Sequence, residues 1–309
     1  MFWLLHLLLL GRSLSADLGD AGLLSTEQVG QYYHQRVGIP MAEAMRNAEL
    51  AGRNNTNRIT NGSRTPLGAF PFVRSKIVLT LFTKASSRIK GGLLIQLESG
   101  PTSMCTCSLL SSTRAVTAAH CVWDGQDRGR TFTAVFGSTK IFRGGTRVTT
   151  NEALRHKDYN RRTLINDIAL LMLPTVTFSA NVAPVRLPSG ALLKRDMAGR
   201  AAQAIGFGLT KDGGRVTNDQ FLNHVTLKVI SNEVCGRTFY IKNSQMCTSG
   251  AGGKGICFGD SGGPLVITHE KKHVLVGVSS FISGRGCQDG LPAGFTRVTT
   301  FIPWIQSHM

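Results

Sequence analysis

The chain of 309 residues has no CxxC…CxxC spacing, no internal repeat and no low-complexity tract. Without paired CxxC motifs a zinc ribbon is excluded, and the seven cysteines instead suit a disulfide framework in an exported protein. Long hydrophobic runs are also missing. The apolar stretch 2–10, broken only by His6, is too short to cross a bilayer comfortably, and no later segment approaches the necessary length. No Lys or Arg precedes that stretch, but Ser13-Leu14-Ser15-Ala16 after it offers small residues to a signal peptidase. The expectation is a cleaved signal peptide over residues 1–16, with an uncleaved anchor as the alternative.

Acidic residues are scarce: 18 against 35 basic ones, a formal net charge of +17. Nucleic-acid binding would call for clustered basic residues or basic residues interleaved with aromatics. Here they are scattered singly or in pairs such as Arg161-Arg162 and Lys271-Lys272, so no nucleic-acid partner is expected. Of the 35, 23 are arginine, which stays protonated where lysine titrates and so suits a strongly alkaline medium.

What is present is a globular, turn-rich composition with 42% hydrophobic residues and 35 glycines. Residues 17–58 lack cysteine, and 41–53 reads as a short helix of Ala, Met, Glu, Arg and Leu, ended by Gly52 and the polar Asn54-Asn55-Thr56-Asn57. Beyond Arg58 the texture changes to short β-branched runs at 77–82, 115–118, 131–136, 168–173, 265–268 and 274–279, separated by Gly, Pro, Asn and Asp. That spacing predicts an all-β sandwich or barrel, with one late helix at 301–308. Asn54 and Asn61 begin glycosylation sequons, read as unused.

Three segments carry chemistry. Thr117-Ala118-Ala119-His120-Cys121 follows a strand; Asn166-Asp167 precedes the apolar Ile168-Ala169-Leu170-Leu171; and Gly259-Asp260-Ser261-Gly262-Gly263-Pro264 sets a serine in a glycine-rich turn. Singly, they read as a core histidine, a strand-end cap and a turn serine. Together they supply what a serine nucleophile requires: a base to take its proton, and a carboxylate to orient that base and stabilise its imidazolium form.

In the order His, Asp, Ser, these motifs resemble the chymotrypsin-like serine proteases from Ile59 to the C-terminus. Thr102-Ser103-Met104-Cys105 and Gly38-Ile39-Pro40, among others, look like the digestive chymotrypsins of lepidopteran larvae. The resemblance implies two packed six-stranded antiparallel β-barrels, 59–180 and 181–309, with a C-terminal helix, preceded by a pro-segment over 17–58. It assigns catalysis to His120, Asp167 and Ser261 and the oxyanion hole to the N–H groups of Gly259 and Ser261. It implies activation by cutting Arg58-Ile59, the new Ile59 ammonium pairing with Asp260. It pairs Cys105 with Cys121, Cys235 with Cys247 and Cys257 with Cys287, leaving Cys107 as a small apolar side chain.

The same resemblance builds the specificity pocket from Gly255, Ser280, Phe281, Ile282 and Ala293. Gly255 stands where trypsin-like cleavage would need an aspartate. Ile282 stands where chymotrypsins usually keep glycine, and a β-branched side chain there favours aliphatic over aromatic side chains before the scissile bond. Between Arg128 and Asn151 there is no Asp or Glu, so no calcium site is expected. The expectation is a secreted, extracellular, monomeric endopeptidase zymogen of the gut lumen, without cofactor, metal or membrane partner. Its partners would be protein and peptide substrates, a trypsin-like activating protease and protein protease inhibitors. The alternative is an inactive homologue acting as a binding module.

Overall fold

The computed structural model describes residues 32–51, 63–64, 90–216 and 221–309. The expected signal peptide, the strand at 77–82, the sequons and the Arg58-Ile59 junction lie outside them.

Two antiparallel sheets carry the fold. The first is a half-barrel built from β2 (Lys90–Leu97), β3 (Thr102–Leu109), β4 (Arg114–Thr117), β5 (Gly129–Phe136), β6 (Thr146–Thr150), β7 (Ala153–Arg155) and β8 (Ala169–Met172), in spatial order β6-β5-β2-β3-β4-β8-β7. The second contains β9 (Ala201–Gly206), β10 (Asn223–Ile230), β11 (Gln245–Thr248), β12 (Pro264–His269), β13 (Lys272–Phe281) and β14 (Ala293–Arg297). Pairing of β9 with β10 closes these six strands into a barrel, with β1 (Ser63–Arg64) added at β10. Five of the short apolar runs read from the sequence fall on β4, β5, β8, β12 and β13.

Leu93, Ile95, Phe132, Phe136 and Leu170 fill the first core; Met246, Leu265, Ile267, Val276 and Phe295 fill the second. The C-terminal turn Val298–Phe301 and helix Ile302–Gln306 leave the second barrel and bury Phe301, Ile302 and Ile305 in the core of the first. The Arg114 Nε–H donates to the His308 carbonyl at 2.6 Å, fastening the same connection.

A leading segment adds a layer that strand counting does not foresee. A π-type turn His34–Gly38 runs into the helix Ile39–Leu50, which lies against β3. The helix starts before the expected position 41 because Pro40 fits a first turn, where its missing N–H is no loss. Val37, Met41, Ala42 and Met45 face the barrel, and β3 is buried from Ser103 to Leu109 because a helix covers its outer side.

Phe295 is fully buried at the middle of β14. Phe295→Ala is expected to cost about 3–5 kcal/mol in urea unfolding, through lost transfer energy plus a cavity.

Candidate active site

Residues 119–122 form a single helical turn after β4, and His120 on it is 1% exposed. Asp167 is wholly buried and meets that turn from the chain entering β8. Its Oδ2 accepts from His120 Nδ1 at 2.8 Å and its Oδ1 from the His120 backbone N–H at 2.9 Å. The second barrel completes the shell. Ser280 Oγ donates to Asp167 Oδ2 at 2.6 Å, and Thr296 Oγ1 donates to the Asp167 carbonyl at 2.7 Å. A register shift in β13 between Ser279 and Phe281 turns Ser280 toward the carboxylate. With the imidazole held through Nδ1, its Nε2 is left as the atom that can exchange a proton with a neighbour.

Ser261 sits in a turn that only glycines could complete. Gly259 has φ +97° and Gly262 φ +79°, the region disfavoured for side chains. A Cβ on Gly262 would lie 2.2 Å from Thr117 Oγ1 and 2.3 Å from the Thr106 carbonyl. The Thr106 N–H donates to the Ser261 carbonyl at 2.8 Å, tying this turn of the second barrel to β3 of the first.

The Ser261–His120 hydrogen bond of a competent triad is not made here. His120 Nε2 is buried with no partner among the described residues, and the Tyr33 ring packs edge-on to the imidazole, centroids 4.8 Å apart. The Tyr33 hydroxyl donates to the Met104 carbonyl at 2.8 Å. Burial pushes the Tyr33 hydroxyl well above the ordinary tyrosine range, so it stays protonated.

Asp260 is partly buried beside the nucleophile, and loss of surrounding water pushes its carboxyl up to about 6, although the N–H groups of Cys257 and Gly208 donate to it at 2.9 and 2.8 Å. Gly206 and Gly208 make room for it: a Cβ on either would fall 2.0 or 2.6 Å from Asp260 carboxylate atoms.

In the expected specificity pocket, Ile256, Ile282 and Ala293 are buried in one apolar cluster against Cys287. Gly255 lies over the Cys287 carbonyl, and Phe281 is buried against Phe239. Disulfides join Cys105 to Cys121, Cys235 to Cys247 and Cys257 to Cys287, a framework of oxidising, extracellular compartments. Cys107 is unbridged and buried, and burial raises its thiol well above the usual range, leaving it inert. Two clusters with metal-ligand geometry, Cys105-His120-Cys121 and Asp212-Cys257-Cys287, rest on these disulfide sulfurs, which have no thiolate to offer a cation.

Reasoning from sequence missed Tyr33, His34, Thr106, Gly206 and Gly208. The Gly206-Phe207-Gly208 spacing was the one visible signal, a pair of side-chain-free positions whose partner lay 52 residues away.

Fold, disulfides and the His120–Asp167 constellation beside a glycine-flanked serine define a two-barrel serine endopeptidase. The family profile described as Trypsin matches residues 85–305, and the chain belongs to that family. It is 34% identical over 254 residues to a collagenase of Hypoderma lineatum, covering 81% of this chain and 87% of that one. Serine protease 1 of Drosophila melanogaster is 38% identical over 251 residues, covering 81% of this chain and 85% of the relative. The solved structure titled HL collagenase superposes with TM-score 0.66 at 34% identity, covering 72% of this chain and 93% of that one.

Gly206→Ala is expected to destabilise the protein by about 1–3 kcal/mol by forcing the Asp260 carboxylate aside. Denaturant unfolding of Gly206→Ala with and without Asp260→Ala checks it: the cost should shrink once the carboxylate is gone.

Proposed function

We propose that this endopeptidase is made as a secreted zymogen, activated by cleavage after Arg58, and that it cuts protein chains after aliphatic or aromatic residues in extracellular digestion. The observation that carries the catalytic part is the buried His120–Asp167–Ser280 network beside the Ser261 turn.

In this reading Ser261 Oγ attacks the carbonyl carbon of the scissile bond while its proton passes to His120 Nε2. The resulting oxyanion is held by the N–H groups of Gly259 and Ser261. Collapse expels the amine, which takes the proton from His120 and leaves an acyl-Ser261 ester. Water then attacks the ester, giving its proton to His120, and Ser261 regains one as the carboxylic acid departs. Asp167 keeps the imidazole in the needed tautomer and stabilises it when charged.

The activation reading is supported by a cavity of about 50 Å³ that reaches Asp260, lined by Gly206, Gly208, Asn223, His224, Val225 and Ile256 among others. The pairing of Ser63 with His224 and of Arg64 with Asn223 anchors the chain beside that cavity. Ile59 is four positions before Ser63, within about 13 Å of extended chain. A freed ammonium arriving there would compensate the partly buried carboxylate of Asp260, which otherwise favours its protonated form up to about pH 6. The apolar packing of Ile256, Ile282 and Ala293 supports aliphatic over large aromatic side chains at the cleavage position.

A fluorophosphonate probe should label Ser261 of the activated enzyme, and Asp167→Asn should lower kcat about 10⁴-fold. Absence of labelling after cleavage at Arg58 would remove the catalytic reading in favour of an inactive homologue. Ile282→Gly should raise kcat/KM on Phe peptides relative to Val peptides by about tenfold or more, measured on matched substrates. An unchanged ratio would show that residue 282 does not set the preference.

A further inference from the structure

We propose that residues 32–51 are a built-in inhibitor of the catalytic site, a helical peptide headed by Tyr33 that binds the same surface in trans and holds it after the chain is cut at Arg58. The inference rests on the zymogen reading above and names the partner of that site.

Proton transfer requires Ser261 Oγ to face His120 Nε2, and the Tyr33 ring packs edge-on to that imidazole, centroids 4.8 Å apart. Tyr33 is 1% exposed, so no substrate carbonyl can enter where its ring lies. Further along, the methyl end of Met41 approaches within 3.0 Å of the Cβ position of Gly259, covering the turn that would supply an oxyanion donor.

The segment is fastened at several separate points. The His34 backbone N–H donates to Asp124 Oδ2 at 2.8 Å, and its Nδ1 pairs with Ser103 Oγ at 2.8 Å. At the far end of the helix, the buried Glu49 carboxylate accepts from the N–H groups of Ile141 and Phe142 at 2.9 and 3.1 Å. Between them Val37, Met41, Ala42 and Met45 enter the first barrel's core. Gly38 passes so close to β3 that a Cβ would sit 1.9 Å from Ser103 Oγ. None of these contacts involves a residue near Arg58. Cutting there leaves them intact, so cleavage alone frees the Ile59 amine without clearing the site. Release of the segment is a second, separable step of activation.

His34 makes that hold sensitive to pH. Burial is the main cause that pushes its imidazole down to about 4; Asp124 and Asp127 pull it up and His120 pushes it further down. A released His34 titrates near 6.5, so the bound segment carries fewer protons than the free one. Its grip is therefore full above pH 6.5 and weakens as the pH falls toward 4.

The test uses enzyme produced from the full chain by cleavage after Arg58, separated from its leading segment by gel filtration at pH 4, where the proposed hold is weakest, and returned to pH 7. A dye-labelled synthetic peptide of residues 32–51 is then added at pH 7, binding is read by anisotropy, and fluorophosphonate labelling of Ser261 is followed in parallel. Saturable binding that slows Ser261 labelling is expected. Tyr33→Ala in the peptide should weaken both effects about 30-fold, as loss of a buried aromatic anchor does. Gly38→Ala is the sharper variant. It favours helix in the free peptide, yet should bind about tenfold more weakly because of the approach to Ser103. Gln35→Ala, on the exposed side, should change neither. Binding of the unsubstituted peptide should also weaken from pH 6.5 to 5, and that loss should disappear with His34→Gln. If Ser261 is labelled but the peptide neither binds nor protects below about 1 mM, the inhibitor proposal is overturned while the protease reading stands. If binding is seen but Gly38→Ala and Tyr33→Ala bind as tightly as the unsubstituted peptide, the proposed seat is wrong. If the separated enzyme is not labelled at all, the catalytic reading fails and takes this inference with it.

Discussion

A carboxylate withdrawn from water must recover its lost hydrogen bonds from the protein, and the position of Asp167 follows from that requirement. Its two oxygens are met by His120 from the first barrel and Ser280 from the second, and its carbonyl by Thr296. Neither barrel alone could satisfy it, so the buried charge aligns the two bodies as well as the imidazole. The C-terminal helix strengthens the same junction by placing Ile302 and Ile305 in the first core. The imidazole inherits its orientation from this arrangement, and so does the direction in which its Nε2 can take a proton.

Asp260 presents the opposite case. It is only partly buried beside the nucleophile, its donors are two backbone N–H groups, and loss of surrounding water pushes its carboxyl up to about 6. An adjoining cavity and two glycines that leave space for the carboxylate make this a site awaiting a cation. Asp167 has both carboxylate oxygens met by donors from two elements, whereas the Asp260 carboxylate is met by backbone N–H groups alone and is the counter-ion that the proposed Ile59 ammonium would complete.

The leading segment links these two halves of the problem. By covering β3 it turns a strand with one solvent side into one buried throughout, and its apolar face becomes part of the first core. Contacts made for folding thereby also set the Tyr33 ring against the His120 imidazole. The inert, buried Cys107 belongs to the same strand.

Much of this was legible in the residues themselves. Short β-branched runs marked β4, β5, β8, β12 and β13 because strand formation has a local period, and the glycines around Ser261 marked a turn because positive φ excludes side chains. The helix was visible near its true place for the same reason, with Pro40 deciding its start. By itself the sequence determined the β-rich class, the cysteine-rich composition that suits a disulfide framework, and the three residue types that catalysis needs. It could not show that Tyr33 reaches the Met104 carbonyl 71 positions away, that Gly208 serves Asp260, or that a register shift turns Ser280 toward Asp167. Only the tertiary structure decided those, because such contacts depend on how separate elements pack, and packing between distant positions leaves no periodic trace along the chain.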